Sequence, residues 1–203
     1  MKKFFTIAFM ALATLVANAQ TPEEGTFSVT PKVGITYGGY IETSYVSSGK
    51  VENNGEIGFA VGAEASYVVN GWFKPSFGVM YQSVSNNFKN DGTDIGTQTI
   101  GYLSIPLLAN FYVSDGFALK VGVQPSFLLS ASANKGIGNQ KSFYNSSDFI
   151  VPVGASYEIG NIEIDGRINL GFGNIIKDDC YLGPCAKLCN GFFTLTVGYR
   201  FDL

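Results

Sequence analysis

The chain has 203 residues, 13 basic and 16 acidic, no histidine, and a formal net charge of −3. Only 14% of its residues are charged, against roughly 25% in soluble domains, while it holds 25 Gly, 17 Phe and 11 Tyr. The acidic balance gives nucleic acid nothing to bind. The missing imidazole excludes Ser-His and Cys-His nucleophile pairs and the common zinc sets with imidazole ligands.

The N-terminus reads MKKFFTIAFMALATLVANAQ: two lysines, an apolar run from Phe4 to Ala17, then small residues at Ala17 and Ala19. This is the pattern of a secretory signal cut after Ala19. The apolar run would rise only about 21 Å as a helix, and a membrane span needs roughly 20 residues. No cysteine follows the small residues, which argues against a lipid anchor. Removal of Lys2 and Lys3 with the signal leaves 11 basic against 16 acidic residues, a mature charge of −5, on 184 residues. The expected organisation is signal peptide 1–19, a short N-terminal segment 20–26 and one domain over 27–203.

Beyond the signal, apolar residues alternate with small or polar ones in eight stretches: Val29–Tyr37, Ile57–Tyr67, Phe73–Tyr81, Leu103–Val113, Phe117–Leu129, Phe149–Tyr157, Ile162–Phe172 and Phe193–Leu203. A period of two predicts strands with two distinct faces. In FALKVGVQPSFLL, Phe117 to Leu129, one face is Phe117, Leu119, Val121, Val123, Pro125, Phe127 and Leu129; the other is Ala118, Lys120, Gly122, Gln124, Ser126 and Leu128. No stretch sustains a 3.6-residue apolar period. Between strands, Asn70-Gly71, Asp115-Gly116 and Gly160-Asn161 predict tight hairpin turns with positive φ. Long polar connections span Glu42–Gly55, Ser85–Thr97, Ala131–Ser147 and Gly173–Asn190. Short and long connections alternate, so an up-and-down meander gathers the turns at one end and the loops at the other. This is the arrangement of outer-membrane barrels, with short periplasmic turns and long external loops.

The polar faces decide which side is inside. A water-facing set would be dense in Lys, Glu and Thr; these faces carry Gly34, Gly58, Gly62, Gly78, Gly122, Gly154, Gly171 and Gly198 among sparse charges. An eight-strand barrel is only just wide enough for side chains to fill, so the glycines are expected to leave room for long residues opposite. Those are Lys32, Lys74, Lys120, Arg167 and Arg200, matched by Glu64, Glu158, Glu163, Asp165 and Asp202. Charges removed from water must be paired, and equal numbers of each sign predict a plugged polar lumen. Lys74, Glu158, Glu163 and Asp202, each near a turn or terminus, fit the rim equally well. Tyr67, Tyr81, Tyr157, Trp72 and Tyr199 are expected in interfacial girdles, with a lumen cap as the alternative for Trp72. A lipocalin would need the apolar set inside and a charged exterior.

GYLSIPLLANFYV (Gly101–Val113) resembles the tyrosine-leucine-x-isoleucine-proline-leucine signature of the outer-membrane β-barrel domain family often called PorT-like. DFIVPVGASYEIGNIEIDGRINLGFGNI (Asp148–Ile175) resembles its later hairpin, with an arginine in the seventh strand. The likeness covers essentially the mature chain; it implies the barrel and leaves activity open. The ending FFTLTVGYRFDL resembles the last-strand signal read by the barrel assembly machinery, carried by Tyr199, Phe201 and Leu203, with leucine where an aromatic is usual.

Little else points to chemistry. Glu163, Asp165 and Arg167 share one strand face and read as a structural ion cluster rather than an acid/base pair. DDCYLGPCAKLCN holds Cys180, Cys185 and Cys189. Outside the cytoplasm a disulfide is the default, one cysteine is left over, and the Gly183-Pro184 turn could bring Cys180 and Cys185 together. A metal site with Asp178 or Asp179, or free thiols, are the alternatives; the spacing matches no standard zinc motif. Asp91-Gly92-Thr93-Asp94 lacks a full calcium-binding loop. Among loop aromatics, Tyr45, Phe88, Phe143 and Tyr144 are the expected partner contacts. The expectation is a non-enzymatic outer-membrane barrel without cofactor. Its partners would be membrane lipid, the assembly machinery and an envelope or surface protein; the alternatives are a secretion-machine accessory, a narrow channel or a membrane enzyme.

Overall fold

The computed structural model describes residues 23–42, 51–90, 93–133, 141–176 and 188–203. Among the described residues, ten strand segments form one closed antiparallel sheet: β1 (Phe27–Glu42), β2 (Val51–Tyr67), β3 (Phe73–Asn90), β4 (Thr93–Ser104), β5 (Leu107–Ser114), β6 (Phe117–Ala133), β7 (Ser147–Ile159), β8 (Ile162–Gly171), β9 (Leu188–Tyr199) and β10 (Phe201–Asp202). Both β4 and β5 lie between β3 and β6, and both β9 and β10 pair with β1, so the ten segments make eight staves and the last closes on the first.

The expected fourth strand, Leu103–Val113, is thus two segments. Pro106 has no N–H for the ladder, and the chain steps out at Ile105-Pro106. The sheet is stitched across the break by Ile105 N–H to Pro125 O at 2.9 Å and Gly78 N–H to Pro106 O at 2.9 Å. The loop prediction over Ser85–Thr97 is also corrected: β3 and β4 stay paired out to Asn90↔Thr93, and β2 stays paired with β3 from Val51↔Asn90 onward. Its Asn, Ser and Thr side chains serve a strand in water as readily as a loop; Ser85 and Thr99 hydroxyls meet at 3.0 Å. The wall is therefore uneven, with 18 residues in β3 against 10 in β8.

Of the three tight turns, Gly116 and Gly160 take the expected positive φ, 70° and 56°. Gly71 lies outside the left-handed region. There the turn is centred one residue later, on Gly71-Trp72, closed by Phe73 N–H to Asn70 O at 3.2 Å.

The faces fall as the alternation predicts. Val33 is 63% exposed and its neighbour Lys32 3%; the same contrast runs around the barrel, with Ile57, Phe77, Val121, Phe149, Ile168 and Val197 outside. Trp72 does not cap the lumen: it is 58% exposed and stacks on Phe111 at 6.1 Å beside the turns. Tyr199 packs on Phe201 at 4.9 Å in the same zone. Tyr81, expected near a strand end, lies mid-strand against Phe59 because β3 continues to Asn90.

Candidate functional site: a charged lumen beneath an apolar cap

Four staves supply the central cluster. Lys32 of β1 reaches across the lumen with its Nζ 2.7 Å from Glu64 of β2, 3.0 Å from Glu163 and 2.9 Å from Asp165 of β8. Lys120 of β6 meets Asp165 at 2.6 Å and also contacts Glu163. Arg167 donates from Nε to Asp165 at 2.8 Å and from Nη2 to Glu64. Three cations thus face three carboxylates, all six side chains buried. The carboxylate oxygens of Glu64, Glu163 and Asp165 lie within 4.8 Å of one another, a grouping a cation could bridge; here each touches Lys32, Lys120 or Arg167 instead.

A second cluster fills the lumen nearer the turns. Glu158 of β7 accepts from Lys74 at 2.5 Å, and also from Arg200 and the Tyr112 hydroxyl. The Lys74 ammonium sits 5.2 Å from the centre of the Tyr112 ring, within cation–π range. Arg200 extends to Asp202 at 2.9 Å, whose side chain is 41% exposed. Of the residues with an open choice between rim and lumen, Lys74, Glu158 and Glu163 are interior and Asp202 is at the rim.

The sheet register explains how such residues fit. Lys32 lies opposite Gly62 and Gly198, Glu64 opposite Gly78, Glu163 opposite Gly198, and Lys120 and Arg167 opposite Gly154. At Gly78 and Gly198 an added Cβ would strike the Glu64 and Lys32 side chains, as expected of residues that make room, and would come equally close to the Ala63 and Pro31 carbonyl oxygens, at 2.7 and 2.8 Å. Elsewhere the reason differs. At Gly34, Gly58, Gly122 and Gly154 a Cβ would fall 2.0–2.1 Å from the carbonyl oxygen of the adjoining strand, so there the curl of the wall itself demands glycine.

Toward the loop end the interior changes character. Gln124 donates to Gln82 at 2.9 Å and Asn169 to Thr194 at 2.8 Å, forming an uncharged amide layer. Above it, Val84, Ile100, Tyr102, Leu128, Ile150 and Phe192 turn inward as an apolar cluster, joined by Tyr144 and Ile175 from the connections. Asn190 holds this level together, donating to the Tyr102 hydroxyl at 3.0 Å and to Asp148 at 2.6 Å. Two connections are laced over it: Asn145 N–H to Ile175 O at 2.9 Å and Asn145 Nδ2 to Asn174 O at 2.7 Å.

The uniformly polar lumen is therefore corrected to a polar lower part with an apolar cap. The signal was present: Leu128 stands in the otherwise small or polar set of β6. A bulge where Gly101-Tyr102 pairs with Ser130 and Leu128 then turns Ala131 inward. Tyr144, expected as a partner contact, is 8% exposed, with its hydroxyl taking a hydrogen bond from Gln98. The aromatic ring supplies apolar area for the cap, and its hydroxyl finds a partner there. Tyr45 and the side chains of Phe88 and Phe143 lie outside the described residues, as do Asp91-Gly92 and the Asp94 side chain. Cys189 is buried and free; Cys180 and Cys185, with Asp178 and Asp179, lie outside the described residues.

An antiparallel sheet closed on itself, apolar without and ionic within, is a membrane-spanning β-barrel. The chain belongs to the family described as the outer membrane protein beta-barrel domain, whose model matches residues 18–177. The chain is similar to several solved structures. Neisserial surface protein A is 17% identical, over 88% of this chain and 100% of that one, with a TM-score of 0.53. OprG from Pseudomonas aeruginosa is 11% identical, over 90% and 99%, at 0.50. Ail, the attachment invasion locus protein of Yersinia pestis, is 15% identical, over 88% and 100%, at 0.49. Comparison with curated proteins returned no match.

Proposed function

We propose that this outer-membrane barrel is non-enzymatic and works through its loop end, in surface interaction or envelope structure. One observation carries the reading: the described lumen is filled, first by two closed ion clusters and then by the Val84-Ile100-Leu128-Ile150-Phe192 cap. That leaves the tall β2–β3–β4 wall and the connections as the chemistry offered to the outside. By the usual orientation of such barrels the short turns face the periplasm. Membrane lipid and the assembly machinery are the partners that Tyr199, Phe201 and Leu203 imply, and cleavage after Ala19 precedes insertion. The purified chain in planar bilayers is expected to stay electrically silent, and in-cell cross-linking from the β3–β4 hairpin to capture an envelope or surface protein. Steady conductance would overturn the filled-lumen reading.

The PorT-like likeness of Gly101–Val113 supports a second reading, an accessory of a protein-secretion or envelope-assembly machine. In the barrel that motif is the Ile105-Pro106 step, an architectural feature, so the first reading is preferred. Stable co-purification with envelope machinery would reverse the preference.

A further inference from the structure

The membrane-facing wall is not smooth. A groove of about 540 Å³ crosses β2, β3, β5 and β6 in the half of the barrel nearest the short turns. Its floor is small because Ala65, Pro75 and Ala109 point outward where neighbouring positions carry large residues. Phe27 and Tyr67 rise on one side, Phe77 and Leu107 on the other. The register places these residues side by side: Ala65↔Phe77, Phe77↔Leu107 and Pro75↔Ala109. The two serines in its lining offer no free hydroxyl outward. Ser66 is bonded to Ser28 inside the barrel at 2.9 Å, and Ser76 accepts from Asn110 at 3.0 Å.

We infer that this groove is a binding site for one phospholipid acyl chain from the leaflet on the turn side. The groove is continuous with the exposed apolar belt that already faces lipid. Its lining is apolar with every polar group satisfied elsewhere, so a chain of methylenes loses no hydrogen bond on entering. A specific protein interface buries roughly 1,200–2,000 Å², far more than a slot four staves wide presents. The aromatic zone of Trp72 and Phe111 lies at the turn-side end, where a headgroup belongs.

The test uses the full mature chain reconstituted in vesicles of phosphatidylethanolamine and phosphatidylglycerol, then extracted into mild detergent and weighed intact. One retained phospholipid per chain is expected. Ala109→Phe, which fills the floor from the lipid side, should lower its occupancy by about ten-fold, the loss of burial of roughly two methylenes. Ala65→Leu is the second such variant, and Ile168→Phe, on the lipid-facing wall of β8 away from the groove, should leave occupancy unchanged. Each variant is first shown to be folded by the mobility of the unboiled band in SDS. No retained lipid, equal retention in both groove variants, or a dimer that those variants dissolve would overturn the proposal, the last naming a second copy as occupant.

Discussion

Replacing Lys32 with methionine keeps the apolar stem and deletes one of the three positive charges that balance Glu64, Glu163 and Asp165. The ammonium lies 2.7, 3.0 and 2.9 Å from those three carboxylates. At an effective dielectric of about 20, each contact is worth about 6 kcal/mol. Against this stand repulsion from Arg167 and Lys120 and a desolvation cost of several kcal/mol for each ion. The net cost of removing one partner from a buried cluster is about 3–5 kcal/mol. With a urea slope of about 2 kcal/mol/M, the unfolding midpoint in lipid vesicles should fall by about 2 M. The folded fraction is read from the unboiled band on a gel. Lys32→Met combined with Glu64→Gln restores neutrality and should recover at least about half of the loss, because the penalty is an uncompensated charge rather than a missing contact. Asp202→Asn, at the wet rim, should change stability by less than about 1 kcal/mol. A Lys32→Met barrel as stable as the parent, or one that the second substitution leaves unrescued, would refute a closed, charge-balanced lumen.

Further outcomes follow from three other parts of the molecule: the cap, the wall glycines and the cysteines. Leu128→Ala opens a hole in the cap and should cost about 2–4 kcal/mol in the same urea assay. Tyr144→Ala should in addition make the segment 141–147 a new site of limited proteolysis, while the strands stay resistant. Gly122→Ala puts a methyl 2.0 Å from the Leu107 carbonyl and should block assembly or cost about 3 kcal/mol or more, whereas Gly71→Ala, with nothing within 4 Å, should be silent. Buried Cys189 should take up a bulky maleimide only after unfolding; if Cys180 and Cys185 pair, they should label only after reduction.

The parity of each strand was readable from the residues because a period of two assigns every side chain to lipid or lumen without reference to any other strand. Pairing across the lumen was not. Lys32 finds Glu163 and Asp165 through the curvature of a closed sheet, at sequence separations of 131 and 133, and no local pattern encodes that. The same limit hid the apolar cap. Val84, Ile100 and Phe192 each stand on the lumen parity of their strand, in step with Gln82, Tyr102 and Thr194, but no local pattern shows that apolar side chains from separate staves meet there; only Ala131 is turned inward by a bulge. Strand ends beyond the membrane were underestimated because Asn, Ser and Thr in water favour a hairpin edge and a loop almost equally.

The span of the central cluster also constrains how the barrel can enter a bilayer. Lys32 and Glu64 belong to the first two staves, while Glu163, Asp165 and Arg167 belong to the seventh. A hairpin of β1 and β2 alone carries one cation and one anion that touch each other, but Lys120 of β6 has both its carboxylate partners in β8. Threading the hairpins into lipid one at a time would strand that ammonium in hydrocarbon until β8 arrived. The ion pairs therefore act as a checkpoint on order of events: the staves must curl toward one another while water still reaches their inner faces, and only a nearly completed cylinder can cross the membrane without an orphaned charge.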